Sequence, residues 1–480
     1  MKSEGATAIR NVGFLLVQRV LKILQALLFL ILVPRLLGPD RYGLFRLLMS
    51  LSLWFIFATS MGMVPVFSRF LPQLILEKKN LNDFFEPFLT VRLLVALSAA
   101  LLYSLFIFFW LKEVDLWVLL PLGGLVFFQS LSQLFFSFFL GVNRAALWGM
   151  GELLRAWTSL PFLLTGFYLA ELKGACLGLL LSEGLVLIVG ICWTRPYLSW
   201  PRPGLNFRQL LPYLKFGSYY YASDLLFSAF QFSGEPLIRL FSGDYREIAY
   251  FGLAFHGYQS AGLLLLYLPL AFLPFFSSLI LQGQIEALRE WVERLLTWLS
   301  VGGVLLFWAV LLLGPDLVPF LVGPGYDPVI INLVPMALTF LLAILGSMSH
   351  ILSQILTRPE LALRAAALRV LVFWGISLPL ITWRPSFGGC LAVLIAAGTH
   401  SFYFNWSIQK IFRYHIRSWG IPLALGALFL PFYWLQSSFV MNVGLYILFA
   451  VSYLFVLIRF NIMRTHELTA AWRIVHQKGS

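Results

Sequence analysis

The chain has 480 residues, of which 60% are hydrophobic, 17% aromatic and only 11% charged, and its mean hydropathy is +0.86. A soluble domain carries about 25% charged residues, so this composition excludes a protein whose whole surface faces water. The net charge of +13 raises the possibility of nucleic-acid binding, which the distribution of the charges along the chain can test.

Long apolar runs that do not alternate with polar residues dominate the sequence. A membrane-crossing helix needs about 20 apolar residues, whereas barrel strands alternate over about ten. We therefore predict an all-α, polytopic membrane protein with about 14 transmembrane helices, arranged as two six-helix lobes around a central cavity plus two C-terminal helices. In chain order the predicted spans lie near 12–33, 43–66, 89–111, 116–140, 148–170, 173–193, 214–237, 249–274, 294–314, 328–354, 363–383, 388–409, 420–437 and 441–460.

The first segment, Met1–Asn11, is polar, and the apolar stretch after it has no small-residue cleavage site. We expect the first span itself to target the chain to the membrane. Cys176, Cys192 and Cys390 all fall in apolar segments without metal-binding spacing. We therefore interpret them as small buried hydrophobic residues and predict no metal and no cofactor.

Lys and Arg residues are unevenly distributed between the two sides of the predicted spans. With the N-terminus inside, about 24 of them, Arg92 and Arg155 included, fall in inner segments, and about 8 fall in outer segments. This bias predicts cytoplasmic termini in a multi-pass protein of the cell membrane. It also accounts for the basic charge without a nucleic-acid partner.

An internal repeat supports a division into lobes. Val12-Gly13, a span, and Arg35–Asp40 are matched by Phe216-Gly217, a span, and Arg239–Asp244. Transporters are often built from such repeats, with the substrate site between them. We predict an N-terminal lobe at 1–200 with helices 1–6 and a C-terminal lobe at 201–410 with helices 7–12. Residues 411–480 then supply two additional helices and a cytoplasmic tail.

At these residues the chain resembles a known family. Pro34–Leu44 (PRLLGPDRYGL) is similar to the first outer loop of Wzx-type polysaccharide-biosynthesis flippases of the multidrug/oligosaccharidyl-lipid/polysaccharide exporter superfamily. Two later segments, Glu235–Ala254 and Phe320–Tyr326, are also similar in general character to segments of the same flippases. The resemblance implies alternating-access transport that flips a polyprenyl-diphosphate-linked oligosaccharide between the leaflets of the membrane lipids. Coupling to H⁺ or Na⁺ is compatible with it, but no coupling motif matches residue by residue.

Arg19 and Lys22 are the first candidates for a substrate-binding site. They lie three residues apart in the first span and so share one helix face. A charge inside the bilayer costs several kcal/mol, so such residues are functional candidates. They could bind the diphosphate of a lipid-linked sugar. Alternatively, their long side chains could snorkel to the cytoplasmic surface.

Asp224 is the second candidate, because it lies seven residues after Gly217 as Arg19 lies six after Gly13. We hypothesise that Arg19 or Lys22 pairs with Asp224 in one transport state and releases it when substrate or a proton binds. A static structural pair is the alternative.

Four further charged residues complete the predicted substrate-binding set: Arg46, Glu183, Glu235 and Arg239. Glu183 lies mid-span without a partner nearby in sequence. Glu235 and Arg239 are four residues apart, and a helical ion pair near the outer surface explains them without a role in transport. Arg46 could face the cavity or anchor the second span.

Three histidines, His256, His350 and His400, lie within predicted spans. They could relay protons near neutral pH, although a role in helix packing is the simpler interpretation.

Three other functions compete with this flippase. The first two are a lipid II flippase of the same superfamily and a cation-coupled multidrug exporter. The third, an integral membrane glycan polymerase or ligase, would need an ordered catalytic loop. No predicted outer loop much exceeds about a dozen residues. We therefore predict that the chain is not an enzyme.

Replacement of Asp224 by Asn should abolish transport without preventing membrane insertion, because the amide cannot form the proposed charge pair. Transport of a lipid-linked sugar in liposomes, normalised to the amount of inserted protein, measures the effect. Normal transport by the variant would contradict the pairing hypothesis.

Overall fold

The structure, a computed structural model, describes residues 2–199, 207–435, 438–460 and 462. Within helices, the side chains of 2–17, 19–20, 207–209, 219, 264–268, 270–271, 274 and 432 are outside this description. Described residues in regular secondary structure are all helical. The helices are α1 Lys2–Ala58, α2 Met63–Leu76, α3 Leu81–Trp110, α4 Leu116–Gly141, α5 Ala145–Thr194, α6 Phe207–Gln231, α7 Gly234–Ser242, α8 Tyr245–Ala271, α9 Leu273–Leu281, α10 Ile285–Val322, α11 Val329–Ile355, α12 Pro359–Trp383, α13 Pro385–Gln409, α14 Arg417–Ala427 and α15 Phe439–Arg459, with a 3₁₀ turn at Leu430–Leu435.

Every predicted span overlaps one or two of these helices. Over the described residues, nine helical stretches are long and apolar enough to cross a membrane. Two of the nine contain internal breaks, at Gly38 in α1 and at Ala170–Glu171 in α5. The chain is therefore a multi-pass, all-α membrane protein, as the composition predicts.

The break in α1 explains the motif Arg35–Asp40. Gly38 has φ 71°, a left-handed conformation that glycine adopts without steric cost. Pro39 follows it and opens the next helical segment, where its missing N–H and fixed φ are tolerated. The Gly-Pro pair thus separates the first predicted span from the second.

Three predicted spans are interrupted where the sequence suggested continuous helices. The second is broken at Thr59–Gly62, where Met61 and Gly62 have φ of 50° and 64°. The seventh is divided between α6 and α7 by Phe232-Ser233, and the eighth between α8 and α9 before Pro274. Such breaks are tolerated in membranes where neighbouring protein satisfies the freed backbone groups.

Residues at the end of, or just after, the two copies of the repeat motif lie against each other. A Cβ added at Gly43 would meet the Tyr245 carbonyl oxygen at 1.8 Å. Asp40 accepts two hydrogen bonds from Arg246, at 2.8 and 3.0 Å. The close approach at Gly43 is possible only without a side chain there.

The chain forms two compact units, residues 1–252 and 253–480. The first has an aromatic core in which Phe67, Phe85, Phe88 and Phe138 are buried. The second packs around the buried Trp308 with side chains from α10, α11, α13 and α15. The division into two six-helix lobes and two extra helices stays a prediction.

Replacement of Gly43 by Ala should destabilise the first unit, because the new methyl would overlap the Tyr245 carbonyl. We expect a cost of about 1–3 kcal/mol, seen as a lower melting temperature of the purified protein in detergent. Gly302→Ala in α10 is the matched control, since nothing lies within 4 Å of its added Cβ. Equal melting temperatures for the two variants would contradict the close approach.

Candidate functional site

The hairpin within α5 brings charged side chains together. Its two halves meet at small residues: a Cβ on Gly166 would meet the Gly174 carbonyl oxygen at 2.0 Å, and one on Gly178 the Phe162 carbonyl oxygen at 2.1 Å. Further from the turn, the Thr158 and Ser182 hydroxyls are 2.7 Å apart. Arg155, one turn before Thr158, lies beside Glu183, the residue after Ser182.

Helix α1 packs against the same hairpin. A Cβ on Gly149 would lie 2.1 Å from the Gln18 Oε1 atom, and the Gln18 side chain donates to the Ala146 carbonyl at 3.4 Å. Lys22 is one turn further along α1, and Glu152 is three residues further along α5. Because i and i+3 or i+4 share a helix face, this packing places Lys22 next to Glu152.

Four residues, Lys22, Glu152, Arg155 and Glu183, form a continuous ion chain. Lys22 Nζ donates to Glu152 Oε2 at 3.1 Å, and Arg155 Nη1 donates to Glu152 Oε1 at 2.6 Å. Arg155 Nε donates to Glu183 Oε2 at 2.9 Å. Ser132 on α4 accepts from Arg155 at 2.9 Å and donates to Glu183.

The ion chain alternates in sign and runs from an accessible end to a buried end. The Lys22 side chain is 37% exposed, whereas the Glu183 side chain is 4% exposed. Each cation has an anion beside it, which lowers the cost of holding charge away from water. Lys22 is therefore the member best placed to exchange its partner for an external anion.

Arg46 and Glu235 form a second buried pair. Arg46 Nη2 donates to Glu235 Oε1 at 2.6 Å, and the Glu235 side chain is only 1% exposed. The helical Glu235–Arg239 ion pair, the alternative to a role in transport, is therefore not formed; the substrate-binding role of the two residues stays a prediction. Arg239 instead pairs with Glu113 at 2.7 Å and lies over the Tyr245 ring. Glu235 meets Arg46 because α7 packs on α1.

Asp224 and Lys22 have different hydrogen-bond partners. It accepts a hydrogen bond from Ser60 at 3.1 Å, at the break in the second span. One turn earlier, Tyr221 donates to the Ala58 carbonyl at 2.7 Å. The hypothesised Lys22–Asp224 pair is not formed in this structure, since Lys22 binds Glu152. The side chain of Arg19 lies outside the described residues.

Sequence reasoning missed Glu152, Arg155 and Arg92 as interior charges. The spacing of Glu152 and Arg155, three apart within the predicted fifth span, was the available signal. Arg92, counted with the inner cations, is 2% exposed. Its guanidinium donates to the Ser130 carbonyl at 2.8 Å and to Gln133 at 3.3 Å.

The second unit contains an apolar cavity of about 600 Å³. The indole N–H groups of Trp308 and Trp419 at its wall donate to the carbonyls of Gly426 and Leu341, each at 3.1 Å. With these donors satisfied, the cavity offers hydrocarbon surface, which suits an apolar ligand.

No group of three or more potential ligands of the His, Cys, Asp or Glu type comes together among the described residues. Cys176 and Cys390 are buried, whereas Cys192 is exposed, contrary to the expectation that all three are buried. Cys192 lies on an outward face of α5, a position that apolar membrane helices leave open to lipid.

Neither a protein-family model nor a curated protein sequence matches the chain. Several solved structures, however, match its fold. The lipid II flippase MurJ in an inward closed conformation matches with a TM-score of 0.74 at 15% identity, covering 95% of this chain and 100% of MurJ. An inward-facing multidrug resistance transporter of the MATE family and MOP superfamily matches with a TM-score of 0.63 at 15% identity, covering 82% and 94%.

A Vibrio cholerae MATE transporter in the bent form matches with a TM-score of 0.51 at 14% identity, covering 86% of this chain and 98% of that one. At these identities the likeness concerns the fold. The chain shares the fold of these flippase and MATE transporter structures. No enzyme is among these three neighbours.

Replacement of Arg155 by Met should destabilise the protein strongly, because it leaves Glu183 buried beside no cation. Breaking a buried pair in this way costs about 3–5 kcal/mol. The double variant Arg155→Met, Glu183→Gln removes both charges and should recover most of the loss. Unfolding in detergent, followed by melting temperature, measures both. A double variant no more stable than the single one would contradict the pairing.

Proposed function

We propose that the chain is a flippase that moves a polyprenyl-diphosphate-linked oligosaccharide across the cell membrane by alternating access. In this proposal it is a Wzx-type member of the superfamily with both termini in the cytoplasm. The observation that carries the proposal is Lys22, an accessible cation inside an apolar span, held by a carboxylate that has a second cationic partner.

The ion chain gives Lys22 a way to change partners at low cost. When a diphosphate approaches, Lys22 can leave Glu152 and bind the phosphoryl oxygens. Glu152 then keeps its 2.6 Å bond to Arg155, so no carboxylate is left buried without a cation. When the diphosphate departs, Glu152 recovers Lys22. Such reversible exchange suits a transporter, which must bind and release its cargo.

A lipid II flippase is the second candidate. The observation in its favour is that the MurJ match extends over 95% of this chain, beyond the 82% reached by the inward-facing MATE transporter. Both candidates move a diphosphate lipid, and the apolar cavity of the second unit would suit part of an isoprenoid chain. Coupling to H⁺ or Na⁺ is part of the proposal, with the ion left open.

Replacement of Lys22 by Gln should slow flipping of a polyprenyl-diphosphate sugar at least tenfold, because the amide carries no charge for the diphosphate. The assay reconstitutes the protein in liposomes and measures arrival of the lipid in the far leaflet, with oligosaccharide-linked lipids and lipid II as parallel substrates. Lys112→Gln, an exposed lysine outside the ion chain, is the matched control and should flip at the wild-type rate.

Two results would count against the proposal. One is a wild-type protein that flips neither lipid class yet exports a small organic cation, which would indicate a multidrug exporter. The other is a Lys22→Gln variant with the wild-type flipping rate, which would remove the proposed role of the ion chain.

A further inference from the structure

A short basic segment, residues 410–417 (KIFRYHIR), joins α13 to α14. It begins where α13, a helix long and apolar enough to cross a membrane, ends at Gln409. The segment contains three Lys or Arg residues and no carboxylate, and no Asp or Glu occurs anywhere between Glu360 and Glu467. Its positive charge is therefore not balanced by its own stretch of sequence.

The backbone of this basic segment is held in place by the second unit. Phe412 and Tyr414 are buried in the core of that unit. The Gln409 side chain donates to the Tyr414 carbonyl at 2.8 Å and accepts from the Tyr414 N–H at 3.4 Å. From α10, Arg289 Nε donates to the Arg413 carbonyl at 2.7 Å. Because the backbone is tied at these points, the side chains between them have a defined arrangement.

The cations of the basic segment are not neutralised by the helix that packs beside it. Three carboxylates of α10 are each bound by a basic side chain: Glu286 by Arg289, Glu290 by Arg294 and Glu293 by His415. Lys410, Arg413 and Arg417 are exposed, and no carboxylate in the part of the chain that the structure describes forms an ion pair with them. The segment therefore presents three unneutralised cations at the end of a membrane helix.

Apolar side chains are exposed beside these cations. Ile411 and Ile416 are 49% and 41% exposed. Phe402 and Trp406, each four residues apart along the line that leads to Lys410, share one face of α13 and are also exposed. Lys410 Nζ lies 3.3 Å from the centroid of the Trp406 ring.

This face of α13 changes its chemistry along the helix axis. Over about 12 Å it passes from the phenyl ring of Phe402 through the indole of Trp406 to the ammonium group of Lys410. The same order, from hydrocarbon through amphipathic aromatic groups to charge, matches a bilayer from its acyl chains to its headgroups. A soluble anion would use the cations but would leave the exposed apolar groups in water.

We propose that Lys410, Arg413 and Arg417 bind the headgroup of an anionic phospholipid, with one of its acyl chains lying along Trp406 and Phe402. Ammonium and guanidinium groups form charge-assisted hydrogen bonds with phosphodiester oxygens. Basic residues next to the end of a membrane helix attract anionic lipids in this way. The bound lipid is a resident of the leaflet on the predicted cytoplasmic side and not the transported cargo, so the inference goes beyond the flippase proposal.

Native mass spectrometry of the delipidated, full-length protein in detergent tests the inference. Phosphatidylglycerol, which is anionic, and phosphatidylcholine, which is zwitterionic, are added separately over the same range of concentrations. We expect phosphatidylglycerol to be retained at the lower concentration. The triple variant Lys410→Gln, Arg413→Gln, Arg417→Gln should weaken its retention by about tenfold or more, because each basic residue near an anionic headgroup contributes to binding. Retention of phosphatidylcholine should not change.

A second triple variant controls for net charge. Lys78→Gln, Lys79→Gln, Arg358→Gln removes the same number of exposed cations on the same predicted side of the membrane. It should retain phosphatidylglycerol as the wild-type protein does. Elution volume and melting temperature confirm that both triple variants are folded.

Fluorescence quenching locates the bound lipid. Phosphatidylglycerol with brominated acyl chains should quench the wild-type protein more than the Trp406→Phe variant, because bromine quenches an indole that it touches. The difference should disappear in the background of the Lys410→Gln, Arg413→Gln, Arg417→Gln variant.

Three results would overturn the inference: equal retention of the two phospholipids, wild-type retention by the variant of the basic segment, or an equal loss in the control variant. Retention of a polyprenyl diphosphate at this surface without retention of phosphatidylglycerol would assign the surface to a different lipid and would also overturn it. None of these measurements involves flipping, so their outcome leaves the flippase proposal to be judged by its own assay.

Discussion

A charge surrounded by hydrocarbon needs an opposite charge or water beside it, and this requirement shapes the first unit. Its interior ion pairs join segments that are distant in sequence: Lys22 with Glu152, Arg155 with Glu183, and Arg46 with Glu235. Each pair fixes the register of two helices, because a shift of one residue would turn a side chain away from its partner. Apolar packing alone gives less directional information, since lipid and protein interior are similarly apolar.

The two units differ in where their charged side chains are paired. In the first, carboxylates accompany the cations, and hydroxyl groups such as that of Ser132 complete the bonding. In the second, the described carboxylates lie near helix ends, for example Glu286 and Glu293, where they bind Arg289 and His415.

The fold was more predictable from sequence than the site. Apolar runs of span length that do not alternate with polar residues were enough to predict an all-α, multi-pass membrane protein. Breaks such as Thr59–Gly62 were missed because hydropathy remains high across them. Individual interior charges, Lys22, Arg46, Glu183 and Glu235, were recognised, but their partners were not. Sequence spacing suggests partners three or four residues away, whereas the actual partners of Lys22 and Arg46 are 130 and 189 residues away.

The sequence distance between Lys22 and Glu152 has a consequence for biosynthesis. The first span must enter the bilayer before its counter-ion, 130 residues later, has been made. A lysine at the centre of an inserting helix costs roughly 2.5–3.5 kcal/mol, while each Leu, Ile, Phe or Val returns roughly 0.3–0.6. The segment Ile23–Val33 contains nine such residues, worth about 3–5 kcal/mol on that scale. The leucine-rich half of the first helix therefore offsets the cost of Lys22 alone until the fifth span arrives.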